Sequence, residues 1–462
     1  MRDADLLRFS MGVIWHEPWP KTNLAALDFV VGGIPRGGTT AFADAFNRHP
    51  DIYCHASESH LVEFAAQMSG ALPIPAAALP AVRAELRRCL QINLFDLVEF
   101  NLQMGSPEPP LRFGDADLDL LADEMASAVN STSQGLACAD RLSAILAREL
   151  RQRSGKPLVG EKTPTNALAL DQLGWQRTPL NAAPVFVVVR RPFAVIRSMR
   201  ARLDNPVDIF AADYRGSTAE QAGYYARHAL ACARLLRAGA RLFRYEDLSG
   251  NPHLAFRHAL QLIGVASTDR IVHELAHTIQ YRGRDTSRSC FAADEQALID
   301  AITQPALDQL GYGRDPASQA DRVALECGGR VIAGQHPDGW LEKRSVLMLV
   351  AEPHHQRALL QIWHRFPAAI VGGDSLVSWS VQAADGRTLA TGSAAGSEPT
   401  TIELAVVVDP ATWHHCANGN LLLVAELCCT HSQVPMAHPD GPDGASADVR
   451  ALSGQLRQVD FA

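Results

Sequence analysis

The stretch "LDFVVGGIPRGGTTAFADAF", residues 27 to 46, constrains this chain more than any other. It opens with an apolar run rich in β-branched and aromatic residues, closed by two glycines. "TTAFADAFNRH" then carries apolar residues at helical spacing. Buried strand, glycine turn, helix is how an α/β unit begins. In the turn "GGIPRGGTT", successive backbone N–H groups from Arg36 to Thr40 can converge on one anion. The helix that follows adds the partial positive charge of its N-terminus. Gly37 and Gly38 let a ligand approach the backbone closely. The alternative is a plain glycine turn that binds nothing. Gly33 and Gly38 have the spacing of the triphosphate-binding pattern G-x-x-x-x-G-K-[ST], but Thr39 stands where that pattern has lysine. The lysine that clamps a triphosphate is missing, and with it the usual way of placing magnesium. The nearby cation is Arg36.

The same alternation continues downstream. Residues 78 to 103 and 140 to 153 have helical patterns. "PVFVVVRRP" (184 to 192) contains a continuous strand of the kind buried in parallel sheets, and Pro192 suits the first turn of a following helix. "ARLFRYEDL" (240 to 248) reads as a short strand, and "NPHLAFRHALQLIGV" (251 to 265) as a helix ended by Gly264. Together these predict a three-layer α/β domain, a P-loop-like parallel sheet flanked by helices, over residues 1 to 318. After about residue 325 the texture changes. "SVLMLVA", "RALLQIWHRF", "SLVSWSVQA", "TIELAVVV" and "LLLVAEL" are strand-like runs separated by turn signals such as Asp385-Gly386. They predict an all-β, sandwich-like domain over 325 to 462, with the closing "VRALSGQLRQVDF" as a last strand.

A net charge of −8 with no basic stripe argues against nucleic acid as the main partner, though a local anion site needs only local positive charge. The nine cysteines form no metal-ligand pattern and read as reduced thiols of a cytoplasmic protein. The adjacent His414, His415 and Cys416 read as a solvated turn. The apolar run in the first twenty residues is too short for a membrane span and is broken by proline.

"PRGGTTAFADAF" resembles the 5′-phosphosulfate loop, P-[KR]-S-G-T-T, of sulfotransferases that use 3′-phosphoadenosine 5′-phosphosulfate (PAPS). Gly37 stands where serine is common in that family. A second family element is an arginine at a strand end with a serine eight residues later, here Arg190 and Ser198 in "VFVVVRRPFAVIRSM". Arg190 would leave the carboxyl end of the strand, where ligands bind in open α/β sheets, and Ser198 would sit about two turns into the next helix. The resemblance gives the pair to the donor's 3′-phosphate. Arg191 competes by sequence alone, and the spacing favours Arg190. "GEKTP" (160 to 164) resembles the family's lysine-bearing segment and gives Lys162 to the transferred group or leaving phosphate, with Arg36 sharing that work. "RYEDLSGNP" (244 to 252) resembles the family's strand and following helix and brings Tyr245 toward the adenine, a packed core tyrosine being the alternative. "YRGRD" (281 to 285) resembles the late basic glycine loop, through Arg282 and Gly283. Five elements in the family's order cover about two thirds of the chain.

Sulfuryl transfer to a hydroxyl or amine needs a base for the acceptor proton and positive charge on the bridging oxygen. In "HPDIYCHASESHLVEF" (49 to 64) the pattern of HP followed by E-x-H resembles the glycan-modifying and related sulfotransferases. It makes Glu58 the candidate general base and His60 a candidate for acceptor binding or for orienting that carboxylate. The alternative for Glu58 is a solvated loop position. His49 would end the helix before Pro50. The expectation is therefore a PAPS-dependent sulfotransferase acting on a carbohydrate or other hydroxyl acceptor, with no metal. The competing readings are an ATP-dependent kinase with a divergent loop and a non-catalytic binding protein working through its β module.

Overall fold

The apolar runs Phe29–Gly33 and Val185–Val189 lie side by side as parallel strands, Val31 opposite Phe186 and Gly33 opposite Val188. The computed structural model describes residues 27–55, 58–69, 72–74, 76–103, 111, 113–177, 183–203, 214–279, 287–313, 315, 317–336, 338–364, 376–395, 400–430 and 453–462. In chain order the first part contains β1 (Phe29–Gly33), α1 (Thr39–Phe46), β2 (Ile52–His55), α2 (Leu61–Met68), α3 (Leu79–Gln103), α4 (Asp115–Asn130), α5 (Gly135–Ser154), β3 (Leu158–Lys162) and α6 (Asn166–Gln172). It continues with β4 (Val185–Val189), α7 (Pro192–Leu203), α8 (Thr218–Arg237), β5 (Arg241–Arg244), α9 (Tyr245–Gly250), α10 (Pro252–Ile263), α11 (Asp269–Ala276) and α12 (Ala293–Gln309).

The five strands form a parallel sheet in the order β2-β3-β1-β4-β5. Alternation along each strand sends side chains to two separate cores. Tyr53, Val159, Val187 and Val189 face a core shared with α2, α4, α5 and α8. Phe29, Val31, Cys54, Phe186 and Val188 face a second core with Phe42 and Phe46 of α1 and Phe256 of α10. This is the expected helix–sheet–helix layering. Two strands were not legible as strands: β2, "IYCH", and β3, "LVGEK", are short and carry polar residues. Tertiary pairing makes them strands, β3 lying between β1 and β2. The run 240 to 248 is strand only to Arg244. There the acidic pair Glu246 and Asp247 opens α9, where negative charge suits a helix N-terminus.

The second part contains β6 (Gly328–Gln335), β7 (Trp340–Ala351), β8 (Arg357–His364), β9 (Leu376–Gln382), β10 (Thr388–Ala395), β11 (Thr400–Val407), β12 (His414–His415), β13 (Leu421–Cys429) and β14 (Gly454–Phe461). These pair antiparallel in one ladder, β10-β9-β13-β7-β14-β8-β11, with β12 on β13 and β6 on β7. Val377 and Trp379 of β9 share a core with Leu360 and Ile362 of β8 and Leu404 of β11, so the ladder curls over a single interior. His414 and His415, expected in a turn, form the short strand β12.

The antiparallel sheet is packed against the first part. Ala219, Ala222 and Ala226 of α8 and Ile302 of α12 share a core with Val346, Met348 and Val350 of β7 and Val424 of β13. Small residues let the helix come close: a Cβ on Gly223 of α8 would lie 2.7 Å from Ile332 of β6. Buried charge spans the same junction. Arg234 of α8 meets Asp171 of α6 at 2.8 Å and Glu426 of β13 at 3.1 Å. Arg227 reaches Glu342 of β7 at 3.0 Å.

Candidate functional site

The site lies at the carboxyl ends of β1, β3 and β4. Past β1 the Ile34 amide still donates to the Val188 carbonyl, 3.1 Å, and the Gly37 N–H donates to the Ile34 carbonyl, 2.7 Å. The second bond closes the turn and takes Gly37's amide out of the expected series from Arg36 to Thr40. It also accounts for the residue type, since a Cβ on Gly37 would lie 2.6 Å from the Ile34 carbonyl oxygen. The room that a serine needs is filled by backbone. Gly38 has φ 99°, and a Cβ there would run into the ring of Tyr245. Thr39 is buried and starts α1, followed by Thr40.

Arg36 sits in the left-handed region, φ 67°, and its Nε donates to the Ser198 hydroxyl on α7 at 3.1 Å. Arg190 follows β4. Its guanidinium lies over the Tyr245 ring, 4.6 Å from the centroid, and its carbonyl accepts from the Tyr225 hydroxyl at 2.8 Å. Arg191 diverges: its N–H donates to Glu246 at 2.8 Å, and its guanidinium lies over Tyr312 and 3.9 Å from Asp315. The neighbouring arginines thus face different surroundings, and Arg190 is the one beside the loop. Tyr245, packed on Gly38 beneath Arg190, ties the two together. Arg282 and Gly283 lie outside the described residues.

A chain of alternating charge crosses the other end of the loop. Lys162, the last residue of β3, is 1% exposed, and its Nζ lies 2.8 Å from Glu58 Oε1. Glu58 Oε2 is 3.5 Å from His60 Nε2. His60 Nδ1 is 2.7 Å from Glu63, which also accepts from the Thr165 hydroxyl at 2.7 Å. His60 has φ 55° and precedes α2, so a left-handed residue aims the imidazole between two carboxylates. Burial by itself would raise the Glu58 pKa, but Lys162 and His60 outweigh it and hold the carboxyl at about 2. Burial would likewise lower His60, yet Glu58 and Glu63 hold the imidazole up to about 10. The glutamate is therefore an ionised, doubly engaged carboxylate, not a solvated loop residue.

Three further groups escaped sequence reading. Glu63 is three residues past His60, the spacing of one helical turn. Glu161, next to Lys162 but pointing to the other face, is 1% exposed. It accepts from the Ser59 amide and hydroxyl, 3.2 and 2.9 Å, from Asn166 at 2.6 Å, and from Thr163. It pins the segment holding Glu58 to the turn after β3. Asp44 on α1 is pushed up to about 6 by burial, with Lys162 and Arg48 pulling the other way. His49 has a local role, its Nδ1 accepting the Asp51 N–H at 3.1 Å. Among the described residues no group of His, Cys, Asp and Glu is arranged to hold a metal ion, and no helix is long and apolar enough to cross a membrane.

The arrangement can receive an anion at the loop, flank it with Arg36, Arg190 and Lys162, and present a carboxylate to a second substrate. No curated protein sequence matches the chain. In structure it is similar to the sulfotransferase domain of the Synechococcus PCC 7002 olefin synthase, at 17% identity and TM-score 0.35, over 65% of this chain and 99% of that one. It is also similar to the sulfotransferase STF9 of Mycobacterium avium, at 14% identity and TM-score 0.35, over 62% of this chain and 76% of that one. The sulfotransferase domain of the curacin biosynthetic pathway matches at 16% identity and TM-score 0.32, over 63% of this chain and 99% of that one. The sequence model of the sulfotransferase family matches residues 28–269, more than half of the chain, so this chain belongs to the sulfotransferase family.

Proposed function

We propose that the protein transfers a sulfuryl group from PAPS to a hydroxyl or amine of an acceptor, and that the acceptor is a carbohydrate. The observation that carries this reading is the Lys162–Glu58 pair, 2.8 Å, set beside an amide-lined glycine loop at the strand ends. In this reading the amides of Gly38, Thr39 and Thr40 and the helix N-terminus hold the 5′-phosphosulfate. Arg190 and Ser198 hold the 3′-phosphate, with Tyr245 against the adenine side. Glu58 takes the acceptor proton as the acceptor oxygen bonds to sulfur. The bond between sulfur and the bridging oxygen breaks, and Lys162 and Arg36 neutralise the charge left on that oxygen.

The pairing of Glu58 with Lys162 also sets an order. A carboxylate held at about 2 is a weak base. Donor negative charge that draws Lys162 away releases the carboxylate just when a proton must be taken. The transfer machinery in this reading lies within residues 1 to 318, and residues 325 to 462 serve the acceptor. None of the nine cysteines is in a disulfide and seven are buried, which suits a cytoplasmic protein.

The test is direct. Purified protein is given sulfur-labelled PAPS with a panel of oligosaccharides, phenols, lipids and peptides, and labelled product is sought. Calorimetry compares adenosine 3′,5′-bisphosphate with ATP. Transfer to a sugar and clear preference for the bisphosphate support the assignment; equal or tighter binding of ATP overturns it.

A further inference from the structure

Of the tryptophans among the described residues, Trp175, Trp379 and Trp413 are buried. Trp340 and Trp363 are only half-buried, and they lie together, ring centroids 5.7 Å apart. Neither joins a hydrophobic core cluster among the described residues. Their placement follows from register. Gln455 of β14 is opposite Trp340 of β7 on one side and Trp363 of β8 on the other, and Trp363 is opposite Thr401 of β11. The adjacent residues Leu341, Ile362 and Ile402 all point into the β core, so alternation turns the whole row outward. Arg457 lies over the Trp363 ring at 5.2 Å.

From this row we infer a binding site for an acidic oligosaccharide on the outer face of the antiparallel sheet, formed by Trp340, Trp363, Gln455, Thr401 and Arg457. Large indole faces left out of every core among the described residues mark a surface suited to contact. A protein-docking centre would surround them with further apolar side chains. Here Gln455 stands between them and Thr401 and Arg457 stand beside Trp363, while the nearby carboxylates Glu342 and Glu403 are engaged by Arg227 and Gln361. That composition suits a pyranose, whose C–H face packs on an indole while its hydroxyls take hydrogen bonds from Gln455 and Thr401. The two rings are tilted 58° to each other. The Arg457 guanidinium, which lies over the Trp363 ring, complements a carboxylate or sulfate on the sugar.

Glu342, two residues beyond Trp340 in β7, is bound by Arg227 of α8 at 3.0 Å, so the tryptophan-bearing strand is tied to that helix. That the bound sugar is the acceptor rests on the function proposed above; that it binds does not.

The experiment uses the full chain without donor. Calorimetry is run with hexasaccharides of chondroitin sulfate (uronate and sulfate), hyaluronan (uronate only) and N-acetylglucosamine (neutral). The acidic sugars bind, and the first two arms tell which anionic group matters. Trp340→Ala and Trp363→Ala each weaken binding by about tenfold, the scale of one lost aromatic contact. Trp363→Phe keeps most of it, and Arg457→Gln removes the preference over the neutral sugar. Unchanged melting temperatures separate these losses from unfolding. Absence of binding by all three sugars, binding that survives both alanine substitutions, or binding of anionic lipid vesicles in their place overturns the inference. Because no transfer is measured, a wrong donor assignment leaves this result standing, and the reverse also holds.

Discussion

Lys162 Nζ and Glu58 Oε1 are 2.8 Å apart across 104 residues of chain, and each changes what the other can do. The ammonium keeps the carboxylate ionised in a buried setting, and the carboxylate gives the lysine an ion-pair partner where only 1% of its residue surface meets water. The His60–Glu63 pair on the far side of Glu58 extends the same chain of charges.

As general base Glu58 acts on the acceptor proton alone. Glu58→Gln keeps the shape but cannot take a proton at neutral pH. Turnover is expected to fall by about 10²–10⁴-fold while donor affinity stays nearly constant. Single-turnover kinetics with donor calorimetry check this, and wild-type turnover with chemistry limiting moves the base elsewhere, His60 being next.

Removing the ammonium reveals how far it holds Glu58 down. The folded pKa of about 2 is below the ordinary value of 4.5. Glu58 therefore contributes stability that is present above about 4.5 and lost as pH falls through 2. In Lys162→Met, burial acts with only His60 against it, so the carboxyl titrates higher and the acid loss begins at higher pH. Carboxyl NMR titration and melting temperature against pH read this out. An unchanged Glu58 titration in the variant means the pair does not set its charge.

Glu63 is expected to position His60 and not to touch substrate. The His60 value of about 10 lies above the ordinary 6.5, so its stabilising charge is fully present below 6.5 and lost as pH rises through 10. Other groups bearing on Glu63 are Arg88 and Cys89 of α3 and His228 of α8. Glu63→Gln lowers the His60 pKa and shifts the alkaline limb of turnover downward, with donor affinity unchanged. His60 imidazole NMR decides it: an unmoved titration rules out the positioning role.

At the donor end, Arg190→Ala is expected to weaken binding of adenosine 3′,5′-bisphosphate by about 1.5–3 kcal/mol, and Ser198→Ala by about 1 kcal/mol. Both losses should shrink for the analogue lacking the 3′-phosphate. Equal losses with and without it place that phosphate elsewhere.

The antiparallel sheet is expected to be part of the folded unit. Glu426 is 2% exposed and shares Arg234 with Asp171. Glu426→Leu leaves Arg234 half-partnered in the junction and should cost about 3–5 kcal/mol, the range for breaking a buried pair. Denaturant unfolding measures it. A chain cut after residue 318, which bares the Ala219–Ala226 face of α8, should melt below the full protein.

Much of this molecule is written in local sequence. The glycine turn between Phe29 and Phe46, the strand ending at Arg190 and the helix carrying Ser198 are local patterns whose side-chain directions follow from the period of the element. They identified the loop, the α/β layering and the residues that gather at it. The antiparallel texture after residue 325 was legible for the same reason, since alternation is a nearest-neighbour signal. The strands β2 and β3 were not, because "IYCH" and "LVGEK" have too few apolar residues to announce themselves and become strands only by pairing with each other and β1. Packing also decided that Gly37 cannot be serine, through the Ile34 carbonyl and not through local propensity. The pairing of Lys162 with Glu58, the clamp of His60 between two glutamates, and the seating of the antiparallel sheet on α8 join residues far apart in sequence or depend on a backbone held in place by its surroundings. Charge complementarity and close packing act through space, so only the tertiary structure could choose those partners.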